Sequence, residues 1–159
     1  MKNNTNKNLS FFDSYNNVAY IKSHDTRKKV VLREPKEARE YRLDNTSGKK
    51  IVVYTIDGGL INDNNVLKCD YGIYTEDDIL YFIELKGDDY VWALKQLLST
   101  IDILLVRPQV NVNRFNARIV LSKMRVPDII PVEEKKLQLY VSKRGGDFIK
   151  KCRVLTDVI

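Results

Sequence analysis

The stretch from Cys69 to Gly87 constrains this chain more than any other. Cys69-Asp70-Tyr71-Gly72-Ile73-Tyr74-Thr75 and Ile79-Leu80-Tyr81-Phe82-Ile83-Glu84-Leu85-Lys86-Gly87 are two apolar, aromatic and β-branched runs. The acidic segment Glu76-Asp77-Asp78 separates them. Such runs flanking a short polar stretch read as a β-hairpin. Side chains on a strand alternate faces, so Glu84 and Lys86 project together and Leu85 points away. A loop centred on Asp77 sets Asp70 opposite Glu84 and Gly72 opposite Phe82, whose ring can cover the bare glycine backbone. One face then holds Lys68, Asp70, Glu84 and Lys86. The other holds Cys69, Tyr71, Ile73, Tyr81, Ile83 and Leu85. A one-residue slip breaks both sets at once, so the pattern favours this register.

Two carboxylates on facing strands repel unless something neutralises them. A hard divalent cation such as Mg²⁺ takes oxygen ligands and suits them. A lysine one pleat away can orient a water or stabilise a developing oxyanion. Together these groups supply what phosphodiester hydrolysis needs.

Asp70, then Glu84-Leu85-Lys86, then a following helix that carries Gln96, resembles the PD-(D/E)XK nuclease superfamily. The likeness covers Gly58 to Ile101, and Cys69 stands where the family name has proline. Glu-X-Lys alone is a degenerate signal; its specificity comes from the order of aspartate, hairpin, Glu-Leu-Lys-Gly and helix. The resemblance implies a restriction-endonuclease-like α/β fold, a central mixed β-sheet flanked by helices. It implies a DNA nuclease that uses Mg²⁺ or Mn²⁺, with RNA as a further substrate to test. Asp70 and Glu84 would hold the metal, joined by the Leu85 carbonyl. Lys86 would position the attacking water, and Gln96 would assist at the lysine, the water or the substrate phosphate. The rival reading is a catalytically silent nuclease-fold module that binds nucleic acid or a protein partner. A third is a structural Glu84–Lys86 ion pair. Cleavage of both strands would call for a homodimer. Gly72-Ile73-Tyr74 spells half of another nuclease signature, but no Tyr-Ile-Gly follows.

Composition fits this chemistry. The chain has 159 residues, enough for one domain with its own core, and a formal net charge of +6. That balance favours a polyanionic partner. The two cysteines, Cys69 and Cys152, read as buried thiols in a reducing cytoplasm. No apolar run is long enough for a bilayer, and no membrane partner is expected. The single histidine, His24, falls in a polar turn and reads as a surface residue.

Residues 1–10 are polar and read as a loose arm, with the domain spanning 11–159. Val18–Ile21 and Lys29–Leu32 look like an added hairpin. Residues 34–44 are ambiguous: Pro35 suits a helix start, while Arg39–Leu43 alternates like a strand. A family glutamate could come from Glu37 or Glu40. Ile51–Ile56 is a strand ending at Asp57, which could line the site beside the acidic hairpin. Asp88 or Asp89 caps a helix whose stripe runs Tyr90, Val91, Leu94, Leu97, Leu98, Ile101 and Leu104. Trp92 reads as a packing anchor. Arg107-Pro108 ends that helix, and a polar loop with Arg114 could face substrate. Ala117–Leu121 is a strand, Val132–Arg144 a basic helix, and Phe148–Leu155 a last strand. Arg114, Lys135, Lys136, Lys143 and Arg144 are the candidate nucleic-acid contacts; Lys150, Lys151 and Arg153 add to the same basic end, where phosphate contact and a solvated face are both open readings.

Overall fold

In a computed structural model, the structure describes residues 9–125 and 127–159. Most of the expected arm lies outside the described residues, and Ser10 is already the N-cap of a short helix, α1 (Phe11–Ser14). The remaining elements are β1 (Ile21–Asp25), β2 (Lys29–Arg33), β3 (Glu40–Asp44), β4 (Ile51–Thr55), β5 (Tyr71–Thr75), β6 (Ile79–Lys86), α2 (Tyr90–Ile101), β7 (Arg114–Leu121), α3 (Val132–Ser142), β8 (Phe148–Cys152) and β9 (Val154–Val158).

The protein is α/β, with two sheets. A mixed six-stranded sheet runs β1-β4-β5-β6-β7-β8, and a three-stranded sheet runs β2-β3-β9. Both faces of the large sheet are covered. On one, Phe82, Leu94, Leu97, Phe115 and Leu137 join the sheet to α2 and α3. On the other, Ile73, Ile83 and Leu85 meet Tyr41, Leu43 and Leu155 of the small sheet. This explains two kinds of strand sequence. β4 and β6 are buried on both faces and read as continuous apolar runs, whereas β2 and β3 alternate because one face of their sheet meets solvent.

The hairpin register holds: Gly72 pairs with Phe82 and Tyr71 with Ile83. A Cβ on Gly72 would sit 3.2 Å from Ile56 Cδ1 and 3.7 Å from the Phe82 ring, so that ring covers the glycine as expected. The expected faces hold within the strands but not before them. Cys69 precedes β5, and it lies in the helix-side core rather than with Ile73 and Ile83. Its N–H donates to Thr100 Oγ1 at 2.8 Å, which turns it toward α2.

Four other expectations change, and one reading left open is resolved. Residues 18–33 form no hairpin: β1 pairs with β4, β2 with β3, and the bend at Asp25–Arg27 passes the chain between layers. His24 therefore lies on a strand, exposed, against the Phe12 ring. Residues 34–39 hold no helix; Lys36 has φ +64, and Arg39–Leu43 is strand-like, with β3 starting at Glu40. The last strand is two. Arg153, at φ +66, breaks it so that β8 stays on β7 while β9 pairs with β3. Cys152 is exposed at that break, not buried.

After α2 the chain continues through a π-helical turn, Asp102–Val106. No described helix is long and apolar enough to cross a membrane.

Candidate metal and catalytic site

β4 and β5 pair antiparallel, as do β5 and β6, so the turn after β4, the entry to β5 and the end of β6 share one edge of the sheet. Asp70 sits one residue before the Tyr71–Ile83 pair. Its Oδ2 accepts the Leu85 N–H at 2.8 Å, and its carbonyl accepts the Ile56 N–H at 3.0 Å. Asp70 is thus pinned on both sides, next to Glu84.

Glu84 is 1% exposed, and its Oε2 has no hydrogen-bond partner among the described residues. Burial pushes its carboxyl well above the usual range. The Asp70 charge adds to this, while Lys86 and a main-chain hydrogen bond from Asp70 oppose it. Burial also raises Asp70, to about 6; the Leu85 N–H and Lys86 oppose that rise, and Glu34 and Asp57 reinforce it. Lys86 is half-buried and attracts both carboxylates, yet it comes within 4.0 Å of neither. The arrangement is therefore not a closed Glu84–Lys86 ion pair.

Asp57 lies at the end of the strand beside the hairpin, half exposed, and lines a cleft of about 270 Å³ with Asp70, Glu34, Thr55 and Tyr71. Its Oδ1 is 3.6 Å from Lys68 Nζ. Lys68 was expected beside the acidic pair. It is instead 8% exposed and bonded to the Asp63 carbonyl at 2.8 Å, so it anchors the turn leading into the site.

Glu34 is the acidic residue that the sequence did not flag. It follows β2 directly and reaches the cleft from the small sheet. Glu37 instead faces Arg39 at 3.5 Å, and Glu40 pairs with Arg42. No periodicity singles out Glu34, because its placement depends on how the two sheets stack.

Gln96 reaches the site from behind. Its Nε2 donates to the Lys68 carbonyl at 3.0 Å, and its Oε1 is buried without a partner among the described residues. Asp89 caps its helix, accepting the Trp92 N–H at 3.0 Å. Trp92 is 41% exposed and does not anchor the core.

The candidate nucleic-acid contacts do not gather here. Arg114 pairs in register with Ile79, at the opposite end of β6 from Lys86. Arg144 joins it at that end: its carbonyl accepts the Phe115 N–H, and its guanidinium stacks 3.5 Å from the Tyr140 ring centre. Lys135, Lys136 and Lys143 are exposed on α3 and just past it.

A divalent ion fits the donor set. Two desolvated carboxylates lie near enough for the charge of Asp70 to act on Glu84, and Glu84 keeps a buried oxygen without a partner among the described residues. All donors are hard oxygens, which suits Mg²⁺ or Mn²⁺. Among the described residues no group of three or more His, Cys, Asp and Glu side chains is arranged to hold a metal. Mg²⁺ commonly takes one or two carboxylates and completes its shell with water and substrate phosphate. Compared with family models, curated proteins and solved structures, the chain shows no significant match.

Proposed function

We propose that this protein is a metal-dependent nuclease that hydrolyses phosphodiester bonds in DNA. The observation that carries the reading is the Asp70–Glu84 pair, desolvated at the end of a hairpin, with Lys86 one pleat beyond Glu84. Burial of two neighbouring carboxylates costs free energy in the absence of a counter-charge. A cation-binding role accounts for that cost; a purely structural role does not. The order β4–β5–β6, α2, β7, α3, β8 also supports a restriction-endonuclease-like core.

Asp70 and Glu84 would hold Mg²⁺ or Mn²⁺, with the Leu85 carbonyl at the same strand end. A bound ion there would lower the pKa of a coordinated water and offset the charge that develops on the phosphate. Lys86 orients the water or stabilises the phosphate charge. Gln96 acts on the segment that carries Asp70, through its bond to Lys68.

The test compares wild type with Asp70→Ala, Glu84→Ala and Lys86→Ala on DNA and RNA, in Mg²⁺, Mn²⁺ or EDTA. The reading expects cleavage by wild type only, abolished by EDTA. Equal cleavage by the variants, or cleavage indifferent to chelator, overturns it. Salt-sensitive binding with no cleavage in any metal transfers the reading to a silent nucleic-acid-binding module.

A further inference from the structure

The carboxyl ends of β6, β7 and β8 form a second, basic half of the edge that carries the carboxylates. These three strands are parallel, and Lys86, Leu121 and Cys152 pair in register, so their ends are level. The Ser122 N–H donates to the Gly87 carbonyl at 2.7 Å, and the Arg153 N–H to the Leu121 carbonyl at 2.8 Å. These bonds seat the segments after each strand side by side. Lys123 and Arg153 are exposed on them, and Lys151 is exposed at the next-to-last position of β8.

Arg39 arrives from the small sheet. Its Nη1 donates to Ser122 Oγ at 2.9 Å, and its Nε is buried without a partner among the described residues. Of the nearby acids, Asp89 caps α2 and Asp88 meets Arg125 at 4.0 Å, while Glu37 meets Arg39 itself at 3.5 Å and leaves Lys123, Lys151 and Arg153 without an ion-pair partner among the described residues. Charge is therefore sorted along one edge. Glu34, Asp57, Asp70 and Glu84 lie toward β4–β6, and the cations lie toward β6–β8.

We propose that the substrate's phosphodiester backbone runs from the carboxylate pair across the ends of β6, β7 and β8, held by Arg39, Lys123, Lys151 and Arg153. The inference deepens the nuclease reading and rests on it for the position of the scissile bond. Three adjacent strand ends span about 10 Å, the rise of about three nucleotides of a B-form strand. In open α/β sheets ligands settle outside the carboxyl ends of parallel strands, where loops leave a crevice. The cations at Arg114 and Arg144 lie at the other end, about 23 Å along β6 from Lys86, out of reach of this path.

The experiment measures binding of a fluorescent DNA duplex and a matching single strand by anisotropy in EDTA, across a salt series. One variant combines Lys123→Ala, Lys151→Ala and Arg153→Asn; asparagine tolerates the positive φ at 153. Its control combines Lys135→Ala, Lys136→Ala and Lys143→Ala. Thermal melts verify folding, and the single variant Lys123→Ala, on an exposed bend, covers failure of the triple. The edge variant is expected to lose about tenfold or more in affinity. The slope of log K on log salt should fall by two to three, since each lost duplex phosphate contact removes about 0.9. Lys123→Ala should lose about one contact's worth, and the control should stay within about twofold. Wild-type affinity and slope in the edge variants, a larger loss in the control, or no DNA binding by wild type overturns the proposal. Because no cleavage occurs in EDTA, a failed nuclease reading leaves edge-dependent binding intact, and a failed path leaves the Asp70 and Glu84 cleavage results intact.

Discussion

The side-chain amide of Gln96 donates to the main-chain carbonyl of Lys68 at 3.0 Å, two residues before Asp70. One turn further along α2, Thr100 Oγ1 accepts the Cys69 N–H at 2.8 Å. Residues four apart on a helix share a face, so α2 holds the chain into Asp70 at two consecutive positions. This makes Gln96 a positioning residue. Gln96→Ala is expected to cost about 1 kcal/mol of stability, the usual net value of one hydrogen bond. It should also weaken Mg²⁺ binding severalfold in calorimetry, because Asp70 loses one of its supports. A stability loss with unchanged Mg²⁺ affinity would reduce Gln96 to a structural residue.

Glu84 carries the clearest conflict between stability and the proposed chemistry. Its carboxyl is 1% exposed, and Oε2 lacks a partner among the described residues. With its folded pKa raised, the group is most favourable when protonated, and that benefit fades as pH climbs through the folded value. Glu84→Gln keeps the shape and removes the charge. In EDTA at pH 8 the variant should be more stable than wild type, by on the order of 1–3 kcal/mol in chemical denaturation. Added Mg²⁺ should raise the melting temperature of wild type and leave that of Glu84→Gln unmoved. A less stable Glu84→Gln protein would mean that the buried carboxylate is satisfied without metal.

The legible parts of this chain were those that local pattern governs. The β5–β6 register follows from loop parity and from burial, because a slip would expose Ile73, Ile83 and Leu85 together. The cap at Asp89 and the Tyr90–Ile101 stripe follow from helical spacing. What stayed hidden depended on partners distant in sequence. β1 and β2 are adjacent in the chain and carry ordinary strand residues, yet they enter different sheets. Nothing in Val30 or Leu32 announces that Leu43, rather than β1, will be their neighbour. Glu34 was invisible for the same reason: it meets Asp70 only after the small sheet docks. The basic C-terminal end was legible as a cluster, but not the break at Arg153 that divides it between two strands, since no glycine or proline marks that turn.

Asp70 ties the site to pH. Its folded pKa is raised from 3.8 to about 6, chiefly by burial. Below pH 4 the group is protonated folded or unfolded, and the contribution to stability is fully present. As pH rises through 6 the folded protein must give up that proton, and the contribution is lost. In EDTA the stability of wild type should therefore fall between pH 4 and 7, with Asp70 supplying on the order of 2 kcal/mol after allowance for its partial exposure. Asp70→Asn should flatten that segment of the profile. Mg²⁺ binding should run the other way and strengthen through pH 6, because proton and metal compete for the same oxygens. A wild-type profile that coincides with that of Asp70→Asn would place the pKa near its ordinary value and remove the desolvation argument.

Arg118 offers a prediction that is independent of catalysis. It is 3% exposed on β7, and its guanidinium meets the Asp157 carboxylate of β9 at 2.7 and 3.0 Å and Asp147 at 2.8 Å. Tyr41, on β3, donates its hydroxyl to the same Asp157 at 2.8 Å. One buried cation thus joins the large sheet to two strands of the small one. Arg118→Met leaves Asp157 facing the core with only the tyrosine hydroxyl. Breaking a buried pair from one side costs about 3–5 kcal/mol. Urea denaturation should show that loss, and hydrogen exchange should show β3 and β9 opening ahead of β5 and β6. The double variant Arg118→Met with Asp157→Leu should recover much of the loss, because the stranded charge is gone. If the single variant loses less than about 1 kcal/mol, the small sheet is held by its apolar face alone. Glu34 would then keep its place at the cleft without any help from Arg118.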